Sequence, residues 1–342
     1  MSNETVLVTG GTGFLAGHCV VQLAEAGYRV RFTVRSVDAA RQAHQTLEAA
    51  GAPTGAMEFA VADLTADANW TEAVRDCDYV LAVASALPRR VLRTDGSVTD
   101  VPKDAALRVL RAAGDAGVRR VVLTSSFAAI GYGYPRSRTE PFTEENWSRH
   151  DSLSVPPYIR ARTLAERAAW ARAEEGGPEL SVVNPVGIFG PVLGSRLPGS
   201  VGIVKAMLEG ELPRTPRLWT SVVDVRDVAD LHIRAMTRPE AAGERFLAAS
   251  GDAVSYHHIA RTLRDRIGDR AARVPARDMS SAYVRAMAPF VPAFRQFRRN
   301  LDIVRHTDSS KARGLLGWEP RPPEDAITAT ARSLIDRDLL SR

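Results

Sequence analysis

Tyr158 and Arg162 stand four residues apart in the stretch YIRARTLAERAAW, which carries the apolar spacing of an amphipathic helix. On a helix the two share one face, about one turn apart. A tyrosine beside a fixed cation can act as a proton donor. Free phenol titrates near pH ~10, and a neighbouring positive charge favours the anion and lowers that value. Arginine supplies the charge at any working pH, but its pKa above ~12 prevents the proton exchange a lysine would allow. About thirty residues earlier, LTSS ends an apolar run with two hydroxyls, Ser125 and Ser126. A serine at the end of a strand can donate to a carbonyl oxygen. Together these side chains suit proton delivery to a carbonyl.

A second group of residues suits a dinucleotide. VTGGTGFLAGH places Gly10, Gly13 and Ala16 between a strand and a helix. Gly10 permits a tight turn, Gly13 lets backbone approach a pyrophosphate, and Ala16 is small enough for close helix–strand packing. Thr12, Phe14 and Leu15 flank that turn. The helix that begins there turns its free N–H groups and positive dipole end toward phosphate. The second strand ends in FTVRS, with Arg35 nineteen residues after Ala16 and no acid before Asp38. An acid at that place binds a ribose 2′-hydroxyl, whereas an arginine pairs with a 2′-phosphate. The expected cofactor is therefore NADP(H). Asp63 and Leu64 end the third strand, and Asp63 can accept from an adenine amino group.

These groups need a scaffold that brings strand ends together. Short β-branched runs recur at residues 5–9, 29–34, 58–62, 79–84, 119–125 and 180–185, with helical patterns between them. Asp38 is placed to cap the helix that follows the second strand. An Asp-Gly pair at Asp95 marks a loop after the fourth strand. Unalternating apolar strands separated by helices predict a parallel sheet covered on both faces. After Pro185 the alternation weakens, a strand returns at 222–225 with a helix from Asp227, and RFLAAS reads as another strand. The expectation is an α/β chain: a Rossmann-type, doubly wound parallel sheet with a smaller, mainly helical C-terminal lobe. Residues 1–185 form the first domain, 222–248 return to it, and 186–221 with 249–342 form the lobe.

Composition removes several classes. The chain has 342 residues, 45% hydrophobic and 25% charged, which is ordinary for a globular protein. No apolar run reaches the ~20 residues of a membrane span, and the first ten residues lead straight into a strand with no leader pattern. Cys19 and Cys77 lie in apolar segments and read as small buried hydrophobes, as suits a reducing cytoplasm. His257 and His258 are adjacent, a poor spacing for chelation, so no metal is expected. The net charge of +5 rests on arginines spread along the chain, with only three lysines (Lys103, Lys205 and Lys311). The densest basic stretch, FRQFRRNLDIVRH, interleaves apolar residues as a half-buried helix would. Neither nucleic acid nor membrane is an expected partner.

The whole chain resembles the extended short-chain dehydrogenase/reductases, and within them the dihydroflavonol-reductase-like branch, which includes bacterial aldehyde and ketone reductases. VLVTGGTGF, TVRS, DYVLAVAS, RVVLTSSFAAIGYG, YIRARTLAERAAW, NPVGIFGP, VDVRDVADLHIRAM and KARGLLGWEPR carry the likeness. It implies that Ser126 and Tyr158 bind the substrate oxygen, with Ser126 preferred to Ser125 because it precedes the glycine turn. It implies that Val83, Ala84 and Ser85 lie along the cofactor with Ser125, and that Asn184, Pro185 and Val186 hold its nicotinamide end beside Tyr158 and Arg162. Arg162 departs from the family's lysine, and Ala82 stands where relatives usually carry His. Ala86, Leu87, Phe127 and the Gly187–Leu193 segment are expected to line an apolar substrate site without an arginine clamp. The implied activity is NADPH-dependent reduction of a neutral, fairly hydrophobic aldehyde or ketone by a monomer or homodimer. Two other readings remain: a nucleotide-sugar epimerase or dehydratase of the same superfamily, and a sensor that binds NADP(H) without chemistry.

Overall fold

The computed structural model describes residues 4–86, 100–152 and 155–341. Leu87 and the Asp95 turn lie outside the described residues. The first half runs β1 (Thr5–Val8), α1 (Phe14–Glu25), β2 (Arg29–Val34), α2 (Val37–Ala49), β3 (Met57–Val61), α3 (Trp70–Val74), β4 (Tyr79–Ala82), α4 (Asp100–Asp115), β5 (Arg120–Thr124), α5 (Pro157–Glu174) and β6 (Glu179–Pro185). There follow β7 (Gly187–Phe189), α6 (Gly199–Glu209), β8 (Thr215–Pro216), β9 (Trp219–Thr220), β10 (Val222–Asp224), α7 (Val225–Thr237) and β11 (Arg245–Ala248). The chain closes with β12 (Val254–Ser255), α8 (Tyr256–Ile267), β13 (Asp278–Met279), α9 (Ser281–Met287), α10 (Pro292–Arg298), α11 (Ser310–Leu316) and α12 (Pro323–Asp336).

Seven strands form one parallel sheet in the order β11-β6-β5-β4-β1-β2-β3. Val6, Leu7 and Val8 are fully buried, as an apolar strand covered on both faces must be. One face packs against Val20 and Leu23 of α1, Leu47 of α2 and Leu231 of α7. The other packs against Ala73 of α3, Leu110 of α4 and Ala169 of α5. This is the doubly wound Rossmann arrangement. The chain leaves β1 toward β2 and β3, then returns on the other side to β4. The strand order therefore reverses between β1 and β4, where ligands of such sheets sit.

The C-terminal part is mainly helical. Val201 and Met207 of α6, Ile259 and Leu263 of α8, and Ile327 and Leu334 of α12 share a separate core. Residues 222–248 divide their contacts. β10 pairs with β7 outside the main sheet, α7 packs on the core beneath α1, and β11 adds to β6.

Three local expectations change. Ser36, not Asp38, caps α2: its Oγ accepts from the Ala39 N–H at 3.2 Å, and Asp38 sits in the first turn. The helix expected from Asp227 begins at Val225, capped by Asp224, whose Oδ1 accepts from the Arg226 N–H at 2.9 Å. The basic stretch is not one helix, because α10 ends at Arg298 and Asp302 takes a left-handed φ of 60°. That turn sends the following residues back toward the main sheet.

Candidate active site

The helix α5 positions the tyrosine and its cation. Pro157 opens it, where a missing N–H costs nothing. Ile159, Ala161, Thr163 and Ala165 are buried, while Tyr158 keeps 38% of its surface exposed. Arg162 is half-buried, with its guanidinium carbon 5.9 Å from the centroid of the Tyr158 ring. Its Nε is buried and has no hydrogen-bond partner among the described residues. A cation next to the phenol and an unmatched donor are both in place on one helix face.

The two serines have different partners. Ser125 is buried, and its hydroxyl donates to Glu166 Oε2. Asn184 Nδ2 donates to the same oxygen at 2.7 Å, and Arg245 Nε donates to Oε1 at 2.6 Å. Ser126 is half-buried; its Oγ accepts from the Ala128 N–H at 3.1 Å, which leaves the hydroxyl proton free to donate elsewhere. The Ser126 carbonyl accepts from Asn184 Nδ2 at 3.3 Å. Ala128, just beyond it, packs with Ile159 of α5, so the serine turn and the tyrosine helix are joined through apolar contact. Glu166 lies eight residues after Tyr158, on the same helical face. Sequence reading passed over it, although a carboxylate amid buried alanines was a signal.

The glycine turn is tight and closely covered. Gly10 has φ +75°, and a Cβ there would lie 2.6 Å from Ala84 Cβ, so β4 closes directly over the turn. The Thr9 hydroxyl accepts from the Ala84 N–H at 2.9 Å, and Thr33 Oγ1 accepts from the Gly10 N–H at 2.9 Å. Gly13 caps α1 with no side-chain bond, and the first turn holds no acid. The N–H groups of Phe14 and Leu15 thus begin a helix whose positive end is uncompensated by the protein, which fits a pyrophosphate. Ser85 Oγ, just past β4, is buried without a partner among the described residues.

The remaining nucleotide candidates lie at the C-terminal ends of β2, β3, β4 and β6 and just after the turn. Arg35 is exposed at the end of β2. The Asp63 carboxylate accepts from Thr65 N at 2.8 Å and Thr65 Oγ1 at 2.7 Å; these bonds, with Arg35 nearby, hold it below the usual carboxylate range. The Leu64 carbonyl accepts from Arg108 Nη1 at 2.6 Å. The Thr12 hydroxyl lies 3.4 Å from Arg196 Nη1. Val83 follows β4, its N–H donating to Leu81 at 3.0 Å. Pro185 ends β6 opposite Ala248, and the Val186 N–H donates to the Ala248 carbonyl at 3.2 Å.

The expected substrate residues do not all gather. Phe127 is buried and meets Tyr132 edge-on at 6.0 Å and Phe142 at 5.7 Å. Ala86 is half-buried beyond β4. The Gly187 N–H donates to the Ser221 carbonyl at 3.1 Å, tying β7 to the lobe. Leu193 lies instead over α1, its Cδ1 only 3.1 Å from where a Gly17 Cβ would stand. His18 Nε2 donates to the Pro191 carbonyl at 2.9 Å, holding that loop on the nucleotide side.

Three other side chains arrive that sequence reading did not name. Tyr132 packs with Ile159, the neighbour of Tyr158. Burial pushes the Tyr132 phenol up, nearby Arg305 pulls it down, and Tyr158 adds to the rise. Tyr256, the first residue of α8, is pushed up to about 12 by burial, with Tyr132 adding to the rise. The Arg305 guanidinium lies 4.4 Å over the Tyr132 ring, and its Nε donates to the Gly131 carbonyl at 3.2 Å, 174 residues away in the chain. The short-helix end described above returns Arg305 to the Tyr132 ring, a cation that the apolar segments did not suggest. Among the described residues, no metal-holding cluster of His, Cys, Asp or Glu and no helix fit to cross a membrane is present.

A reversing parallel sheet, this glycine turn and a strand-end serine beside a tyrosine–cation helix define a dinucleotide-binding oxidoreductase of the short-chain type. Residues 6–249 match the NAD dependent epimerase/dehydratase family, and the chain belongs to that family, in its dihydroflavonol-reductase-like branch. It is 32% identical to dihydroflavonol 4-reductase of Zea mays over 77% of this chain and 74% of that one. It is 31% identical to a ketoreductase of Aspergillus niger over 98% of both chains. Among solved structures it is similar to yeast methylglyoxal/isovaleraldehyde reductase Gre2 complexed with NADPH, with a TM-score of 0.80 and 25% identity over 98% of this chain and 99% of that one.

Proposed function

We propose that this protein reduces a fairly hydrophobic aldehyde or ketone to the alcohol with NADPH, and that Tyr158 is the general acid. The observation that carries the reading is the pairing of exposed Tyr158 with Arg162 at 5.9 Å, beside a serine whose hydroxyl proton is free. Bound NADPH supplies the hydride to the carbonyl carbon. Ser126 and Tyr158 donate to the carbonyl oxygen, Tyr158 passes it a proton, and water refills the tyrosine. Arg162 favours the phenolate that this step leaves. Ser125 does not serve here, because Glu166 holds it.

Arg35 pairs with the 2′-phosphate, the α1 N-terminus with the pyrophosphate, and Asp63 with the adenine end. Residues 1–185 and 222–248 form the cofactor domain; 186–221 and 249–342 form the substrate lobe. The names of the relatives, a dihydroflavonol reductase and a ketoreductase, support reduction over epimerisation. The test is NADPH oxidation by the purified protein against a panel of aromatic and aliphatic aldehydes and ketones. Tyr158→Phe is expected to nearly abolish turnover with NADPH binding retained, and Ser126→Ala to cost about 10²–10³ in rate. Normal turnover by Tyr158→Phe would end this mechanism. A sensor reading draws on Arg162, which exchanges no protons; it predicts tight NADPH binding with no turnover on any carbonyl.

A further inference from the structure

Arg305 is a cation without an anion. It is half-buried. Among the described residues its hydrogen bonds go to neutral acceptors, the Gly131 carbonyl at 3.2 Å and Asn300 Oδ1 at 3.3 Å. Among the described residues no carboxylate lies within ion-pair distance of it, whereas Arg217 and Arg285 of the same lobe both reach Asp302. The charged side chain acting on it is another arginine, Arg136, whose Nη2 donates to the Arg299 carbonyl at 2.9 Å. Burial and that like charge both press the guanidinium toward losing its proton, and only the Tyr132 phenol opposes them. An uncompensated, partly desolvated cation is costly to fold around. Its cost is recovered when an anion binds.

The surroundings say where that anion would lie. The guanidinium stacks on Tyr132, which meets Phe127 on one side and packs beside Ile159 on the other. Phe127 follows Ser126 in the chain, and Ile159 follows Tyr158. Burial raises the Tyr132 and Tyr256 phenols, so both stay protonated donors. The guanidinium fork thus lies on Tyr132, which packs beside the chain neighbours of Ser126 and Tyr158, and the Tyr256 phenol is close enough to Tyr132 to be raised by it. This set is all donors, and among the described residues no carboxylate is paired with it to repel an anion. Planar guanidinium matches planar carboxylate through two parallel bonds.

We infer that Arg305 is the counter-charge for the substrate, which is an aldehyde or ketone carrying a carboxylate at its end away from the carbonyl. This inference rests on the carbonyl-reductase reading and replaces the neutral substrate expected from the apolar segments. Tyr132 and Tyr256 add donors to the same carboxylate. The carbonyl chemistry is unchanged.

The experiment compares 4-carboxybenzaldehyde with 4-methylbenzaldehyde, which share a ring and a carbonyl and differ in the distal group. Wild-type protein with NADPH is expected to favour the carboxylate in kcat/KM by on the order of ten- to hundredfold, as a charge-assisted bond gives. In Arg305→Met the ratio of the two kcat/KM values is expected to fall toward one, through KM of the carboxylate compound; Arg305→Lys is expected to keep part of it. In parallel, 4-(hydroxymethyl)benzoate is titrated into NADP-loaded wild-type and Arg305→Met protein by calorimetry. If no aldehyde is turned over, the reductase reading fails, and the benzoate titration still decides the anion site. Equal kcat/KM for both aldehydes in the wild type would overturn the inference. So would an equal loss on both in Arg305→Met and Arg305→Lys, which would make Arg305 only a tie between Gly131 and the lobe.

Discussion

Ser125 donates its hydroxyl proton to Glu166, a residue two turns beyond Tyr158 on the same helix. The bond ties the helix of Tyr158, the proposed general acid, to the strand end that carries Ser126. Asn184 and Arg245 reach the same carboxylate from β6 and β11, so three adjacent strands and one helix converge on one buried group. Glu166 is thus placed to hold Ser125, Asn184 and Arg245 to α5, and it is expected to position the site.

Glu166→Gln keeps the shape of that group and removes its charge, leaving buried Arg245 unpaired. Breaking a buried pair in this way costs about 3–5 kcal/mol. The expected outcome is a clear drop in the urea midpoint, accompanied by a lower kcat, since Ser126 and Tyr158 lose their common anchor. An unchanged midpoint would mean that the network contributes little to holding the site.

Arg162 is expected to do a lysine's electrostatic work without its proton exchange. Arg162→Lys should stay folded, bind NADPH about as well, and keep or gain activity. Arg162→Met removes the cation at 5.9 Å, and the rate near neutral pH should fall by about tenfold or more. NADPH affinity should fall too, because the donor offered to the cofactor ribose is gone. A pH–rate profile of all three proteins on one aldehyde checks this. If Arg162→Met matches wild type, the residue is only helix surface.

Arg35 is exposed and free to meet a 2′-phosphate. Arg35→Asp removes the ion pair and adds repulsion, so NADPH binding should weaken far more than NADH binding. Paired fluorescence titrations measure both. An unchanged preference would take Arg35 out of the site.

His232 links the fold to pH. It is fully buried; its Nδ1 donates to the Val228 carbonyl at 2.7 Å, and its Nε2 accepts from the Thr124 hydroxyl at 2.7 Å. Burial pushes its pKa down from 6.5 to about 4. Between those values the unfolded chain takes up a proton that the native protein refuses. Stability is thus fully present above the unfolded value and is lost as pH falls toward the folded one, by up to about 3 kcal/mol. Urea unfolding at pH ~7 and pH ~5 should register the loss, and His232→Gln should flatten it. An equal slope in the variant would assign the pH dependence to other groups.

Much of the molecule was written in local pattern. The glycine turn needs Gly10 at φ +75° whatever surrounds it, and apolar runs such as Thr5–Val8 can only be buried strands. Tyr158 and Arg162 share a face because helical geometry puts residues four apart on one side. These features depend on neighbours within one or two turns of chain, so the sequence alone determined them, along with the parallel sheet and the family likeness.

What it did not determine are the meetings between distant segments. Ser125 and Ser126 look alike in LTSS; only the approach of Glu166, Asn184 and Arg245 separates the engaged hydroxyl from the free one. Leu193 sits in an apolar stretch that sequence cannot aim, and the fold aims it at Gly17 rather than at Phe127. Arg305 was hidden in a basic, half-apolar stretch that resembled one helix. The chain leaves the helix at Arg298 and reverses at Asp302, whose carboxylate is bound by Ser281, Arg285 and Arg217. Those partners come from other elements, so only the tertiary structure decided that a cation from the C-terminal part stacks on Tyr132, which packs against the neighbour of Tyr158.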